Sequence, residues 1–158
     1  MKPGVEVLFE SHLDLLRGRR VGLITNPTGV DLSLRSVIER FRAHPEVKLV
    51  ALYGPEHGVR GNAQAGEYVP FYLDEQYGLP VFSLYGQSHR PPADMLTNID
   101  AYMRSFDTQH AGKTVERGMI DAIDVMVFDL QDVGTRVYTY VATMAYAMQA
   151  AAESGIPF

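Results

Sequence analysis

Four short runs rich in β-branched, aromatic and aliphatic residues punctuate the chain: Arg20–Thr25 (RVGLIT), Val47–Tyr53 (VKLVALY), Leu79–Tyr85 (LPVFSLY) and Asp124–Phe128 (DVMVF). Segments of helical period lie between them. Strands that alternate with helices have few ways to bury their apolar sides. Parallel neighbours need crossovers, and the crossover helices cover the sheet. The expected fold is therefore α/β, a mostly parallel sheet with helices on both faces. The Asp124–Phe128 run reads as a strand buried on both faces.

The helices are read from apolar spacing. Val5, Leu8, Phe9, Leu13 and Leu16 predict one amphipathic helix over Val5–Leu16. Leu34, Val37, Ile38 and Phe41 predict a second over Ser33–Ala43, with Asp31 or Ser33 as its N-cap. Weaker periodicity marks Asp94–Arg104 and Val115–Ile123, with Ser105–Thr114 a polar excursion between them. Val137–Glu153 carries no charge before Glu153 and reads as a well-buried helix stopped by Gly155. Ile156–Phe158 resembles the start of a fifth strand. On that ground the chain reads as a piece of a longer protein.

The 158 residues carry a net charge of −5 without basic clusters, which disfavours nucleic acid or an anionic membrane as partner. Cysteine is absent, which excludes disulfides, thiolate zinc and a cysteine nucleophile. The first residues lack the apolar core of a signal peptide, and no apolar run has the ~18 residues a bilayer span needs.

In open α/β sheets ligands bind beyond the carboxyl ends of the strands. Polar residues gather there: Asn26 and Thr28 after the first strand, Glu56, His57, Arg60, Asn62, Gln64 and Glu67 after the second, Gln87–Arg90 after the third, and Asp129, Gln131, Asp132, Thr135 and Arg136 after the fourth. Loops face water, so some of this polarity is ordinary solvation. The Gly54–Pro70 loop is long and holds four glycines, which let backbone turn tightly near a ligand. Its carboxylates, Glu56 and Glu67, are the minimum needed to divide acid and base roles at a glycosidic bond. Glu67 also reads as an exposed loop acid. Dinucleotide, P-loop and nucleophile-elbow motifs are missing. Asp129 and Asp132 either bind magnesium with His57, or one of them caps the following turn or pairs with Arg136. No ligand spacing compels a metal, and no cofactor is expected. Tyr138 and Tyr140 either stack on a sugar or pack into the core.

Three segments, GLITNPTGVD, GPEHGVRGNAQAGE and VFDLQDVGTRVYTY, resemble in order and spacing the NamZ-type exo-β-N-acetylmuramidase family. The resemblance runs from about Val5 to the last residue, with Ser105–Thr114 as an insertion. It implies a Rossmann-like N-terminal domain, a smaller C-terminal domain and a cleft between them. Family members release N-acetylmuramic acid from the non-reducing ends of peptidoglycan fragments. By motif match Glu56 and Glu67 become the candidate catalytic pair. Asn26, His57, Arg60, Asp129, Gln131, Asp132, Arg136 and Tyr138 become candidate substrate contacts. Arg60 or Arg136 would meet the lactyl carboxylate of muramic acid, and His57 would orient Glu56 or bond a sugar hydroxyl. The expected partner is a peptidoglycan-derived saccharide, and self-association is expected of the isolated fragment. The resemblance points to a periplasmic or secreted protein, although the chain shows no signal. The rival readings are a sugar-binding module without catalysis and a metal-dependent phosphohydrolase using Asp129 and Asp132.

Overall fold

The computed structural model describes residues 2–85, 90–99 and 122–158. Among them a five-stranded sheet runs β3-β4-β2-β1-β5. Its strands are β1 (Arg20–Thr25), β2 (Lys48–Gly54), β3 (Tyr72–Asp74), β4 (Leu79–Ser83) and β5 (Val125–Asp129). The pairs β1·β2, β1·β5 and β2·β4 are parallel; β3 adds an antiparallel edge. The helices are α1 (Gly4–Ser11), α2 (Val37–Ala43), α3 (Asp94–Thr97) and α4 (Tyr140–Glu153).

Strand alternation divides the core in two. Leu23 and Leu52 point to one face, where Val5 of α1 and Val37, Ile38 and Phe41 of α2 cover them. Ile24 and Tyr53 point to the other, against Met95 and Leu96 of α3 and Ala147, Ala150 and Ala151 of α4. Both faces are covered, as the strand–helix alternation requires. Position 22 lies on the second face, and it takes glycine because a Cβ there would stand 2.8 Å from the Tyr53 ring and 2.9 Å from Ile123. The space it leaves accommodates the Tyr53 ring, whose hydroxyl donates to the Met95 carbonyl at 3.0 Å.

An ion pair ties the strand starts together. Arg20 Nε and Nη2 donate to the two Asp124 oxygens at 3.0 and 2.7 Å, and the Arg20 amide adds a third bond. These bonds hold the Asp124 carboxyl at a pKa of about 2.

The structure corrects several expected elements. The first helix ends at Ser11, and Leu13–Leu15 form a separate 3-10 turn. The second begins at Val37, with Ser36 as N-cap accepting the Ile38 amide at 3.2 Å. Asp31 instead closes a turn by accepting the Ser33 and Arg35 amides. That turn holds Leu34 at φ 60° and 81% exposed, off the apolar face assigned to it. The three-residue strand β3 is too short to leave a period in the sequence. Toward its carboxyl end β5 is only half-buried. Of Asp94–Arg104 the described part holds a short helix, α3, with Ile99 buried just after it; residues 100–104, Ser105–Thr114 and nearly all of Val115–Ile123 lie outside the described residues.

The last helix starts at Tyr140, and only one side of it is buried. Val141, Tyr146 and Met148 face solvent. The absence of charge does not mean burial here, because small and apolar residues line both sides of this helix. Gly155, at φ 68°, does end it. The Ile156 amide donates to the Ala151 carbonyl and the Gly155 amide to Ala152, the paired bonds of a Schellman stop. Ile156 then packs into the core, and the Pro157 carbonyl accepts the Met126 amide of β5.

Candidate active site

Strands β1, β2 and β5 end level with one another: Ile24 pairs with Tyr53, and Thr25 with Asp129. Their following loops therefore share one rim, which the start of α4 also reaches.

On β1's side, Asn26 is only 8% exposed. Its Oδ1 accepts the Thr28 amide and hydroxyl at 3.0 and 2.6 Å, and its Nδ2 donates to the Tyr140 hydroxyl at 3.0 Å. Thr28 Oγ1 in turn accepts the Gln131 amide at 3.3 Å, and Gln131 Nε2 donates to Asp129 Oδ1 at 3.2 Å. One chain of hydrogen bonds thus joins the ends of β1 and β5 to the first residue of α4.

On β2's side, Glu56 follows Gly54 and Pro55 and is half-buried. Its Oε1 accepts the Gly66 amide at 3.3 Å, and its Oε2 accepts the Thr139 hydroxyl at 3.0 Å. The Gly66 bond folds the glycine loop back, so Glu67 stands one residue from the group that contacts Glu56. Glu67 itself is exposed and accepts the Gln64 amide at 3.0 Å. His57 adopts φ 71°, a left-handed conformation that non-glycine residues take at a cost of about 1–2 kcal/mol. Its Nδ1 lies 2.9 Å from the Ala63 carbonyl. A carbonyl can only accept, so Nδ1 carries a proton and is the donor of this bond. Through this nitrogen His57 braces the loop.

Arg60 is engaged elsewhere. Its Nε and Nη2 donate to Oδ2 of the buried Asp74 at 3.1 and 2.6 Å, and its guanidinium lies 5.0 Å over the Tyr77 ring. It clamps the loop to β3 instead of presenting a cation to the rim. Arg136 is exposed, with no ion-pair partner among the described residues. Asp132 accepts the Gly134 amide at 2.7 Å and shapes the turn there. Tyr138 is 44% exposed and meets Tyr140 edge-on at 5.4 Å between ring centroids, an aromatic corner open to solvent.

Asp129 is the anomaly. Its Oδ2 is buried without a hydrogen-bond partner among the described residues, and burial holds its pKa above the usual carboxylate range, with the Gln131 bond working in the opposite sense. A raised folded-state pKa means that ionisation costs more in the folded than the unfolded chain. Stability on this account is greatest below the unfolded value of about 3.9 and falls as pH rises through the folded one. Asp129→Asn should therefore be more stable than the parent at pH 7, by about 1 kcal/mol, and equal to it near pH 3. Urea unfolding at the two pH values measures this, and a variant less stable at pH 7 would contradict it.

The residues the sequence reading missed are Thr139 and Asp74. Neither carries a local signal, since each acts on a partner distant in sequence.

Together these features define an α/β domain whose polar chemistry, a held carboxylate foremost, gathers at the carboxyl ends of its parallel strands. Residues 21–115 and 105–158 match the family described as exo-β-N-acetylmuramidase NamZ, N-terminal, and the chain belongs to that family. The peptidoglycan β-N-acetylmuramidase NamZ of Bacillus subtilis (strain 168) is 46% identical over 158 residues, which is 100% of this chain and 32% of that protein. A crystal structure of a DUF1343 family protein from Bacteroides fragilis NCTC 9343 superposes with a TM-score of 0.74 at 45% identity. A second from the same organism superposes with 0.64 at 25% identity. Each comparison covers 98% of this chain and 32% of the other. The chain thus spans about a third of the length of these relatives.

Proposed function

We propose that these residues form the Rossmann-like N-terminal catalytic domain of an exo-β-N-acetylmuramidase that removes N-acetylmuramic acid from peptidoglycan-derived saccharides. The observation that carries this reading is the Glu56 carboxyl, held at the end of β2 by one amide and one hydroxyl in a member of this family. Glu56 is the acid. As the bond from the anomeric carbon to the glycosidic oxygen breaks, its electron pair leaves with that oxygen, which takes the Glu56 proton. Glu67, on the same loop, is the partner carboxylate that stabilises or attacks the oxocarbenium-like centre, and water completes the hydrolysis. Asn26, Gln131 and Asp129 line the rim with fixed donors and acceptors, and Tyr138 offers a ring face to the sugar. The apolar outer side of α4 fits self-association of this domain when it stands alone.

Arg136 is the cation for the lactyl carboxylate, since Arg60 is committed to Asp74. The test is turnover of an aryl N-acetylmuraminide by the full-length chain, beside the matching N-acetylglucosaminide that lacks the lactyl group. The muraminide should be preferred. Arg136→Ala should cost it about tenfold in kcat/KM, near the low end for a charged hydrogen bond, and leave the other substrate unaffected. No turnover of the muraminide would refute the reading, and equal losses on both substrates would make Arg136 structural.

A further inference from the structure

A general acid works only if its carboxyl is held on the leaving oxygen, and one group here has given up a local bond to do the holding. Thr139 occupies the N-cap position of α4. A threonine there ordinarily turns its oxygen to a backbone amide of the first turn. Thr139 makes no such bond; its hydroxyl donates instead to Glu56 Oε2 at 3.0 Å, across 83 positions of sequence. We propose that Thr139 is the positioning residue of Glu56, a role that rests on the reading of Glu56 given above.

The geometry suits the task. Threonine's β-branch leaves few χ1 rotamers, so an anchored backbone narrows where its hydroxyl can point. That backbone is anchored twice. The Thr139 carbonyl accepts the Thr143 amide and hydroxyl at 3.0 and 3.2 Å, and the next residue, Tyr140, is tied through its hydroxyl to Asn26. Glu56 is thus referred to the ends of β1 and β2 together through the start of α4. When the proton leaves for the glycosidic oxygen, the carboxylate that forms keeps a donor on each oxygen, Thr139 on Oε2 and the Gly66 amide on Oε1. Such charge-assisted bonds are stronger than those to the neutral acid.

The test uses the full-length chain and an aryl N-acetylmuraminide with a poor leaving group. Thr139→Val keeps the shape and removes the hydroxyl. It should lower kcat about 10- to 100-fold with KM changed less than about twofold, the pattern of a misplaced catalytic group. Thr139→Ser should recover most of the loss, and all variants should melt like the parent. Thr139→Val added to Glu56→Gln should lower the rate no further, because residues acting as one unit are not additive. Unchanged kcat in Thr139→Val, no recovery in Thr139→Ser, or a full additional loss in the double variant would overturn the proposal. If Glu56→Gln alone is disabling while Thr139→Val is silent, only the role of Thr139 falls. If Glu56→Gln retains turnover, both readings fall.

Discussion

Glu56→Gln should lower kcat for a muraminide with a poor leaving group about 1,000-fold, within the range general acid catalysis supplies. Glutamine keeps the length and one accepting oxygen, so the bond from Gly66 or Thr139 can persist and the fold should be unharmed. What disappears is the transferable proton. The loss should therefore depend on the leaving group. An aryl glycoside whose phenol departs as a stable anion needs little protonation, and for it the deficit should shrink to about tenfold. Rates of both substrates with purified parent and variant decide the matter. An equal loss on the two would assign Glu56 to nucleophilic or electrostatic work, and a small loss on both would remove it from the chemistry.

Gly29→Ala should destabilise the domain by about 3 kcal/mol, the upper part of the range for overpacking a close-packed site. A Cβ there would fall well inside contact distance of Thr25 Oγ1 and stand 2.9 Å from Val37 Cγ1 and 3.3 Å from the Asp129 carbonyl. Thr25 and Val37 are wholly buried, one closing β1 and the other opening α2. Neither can retreat without moving its element. Gly29 also donates to the Asn26 carbonyl and accepts the Val37 amide, so strain would pass to the loop that carries Asn26 and Thr28. Urea unfolding should show the midpoint fall with little change in slope, and turnover should fall with it. An unchanged midpoint would show that the loop yields more easily than its burial implies.

Gly29 marks how far local reading reaches. As sequence, Asn26-Pro27-Thr28-Gly29 is turn chemistry. In the fold that glycine is needed because three elements converge on it. His57 and Arg60 teach the same lesson. Their position after a buried strand made them candidates for substrate contact, yet one braces the Ala63 carbonyl and the other a buried aspartate on β3. A polar residue at a strand end has two possible clients, ligand and loop, and local sequence does not distinguish them.

Hydrophobic period is a local quantity, and it determined what is local here. It marked β1 at its observed limits, Arg20–Thr25, and placed the other three long strands to within a few residues. The alternation of strands with helices then implied a parallel sheet covered on both faces, and the loops beyond its carboxyl ends as the place for chemistry. Sequence makes Glu56 a candidate because it closely follows a buried strand; its role is the proposal made above. Only the tertiary structure decided which polar groups meet. Asn26 and Tyr140 are 114 positions apart, and Glu56 and Thr139 are 83. Such pairs exist because the strand order sets β1 between β2 and β5 and carries the start of α4 over the rim they share. The burial of one side of α4 and the orphaned oxygen of Asp129 follow from the same packing. They depend on what lies across space from each residue, and a one-dimensional pattern does not record that.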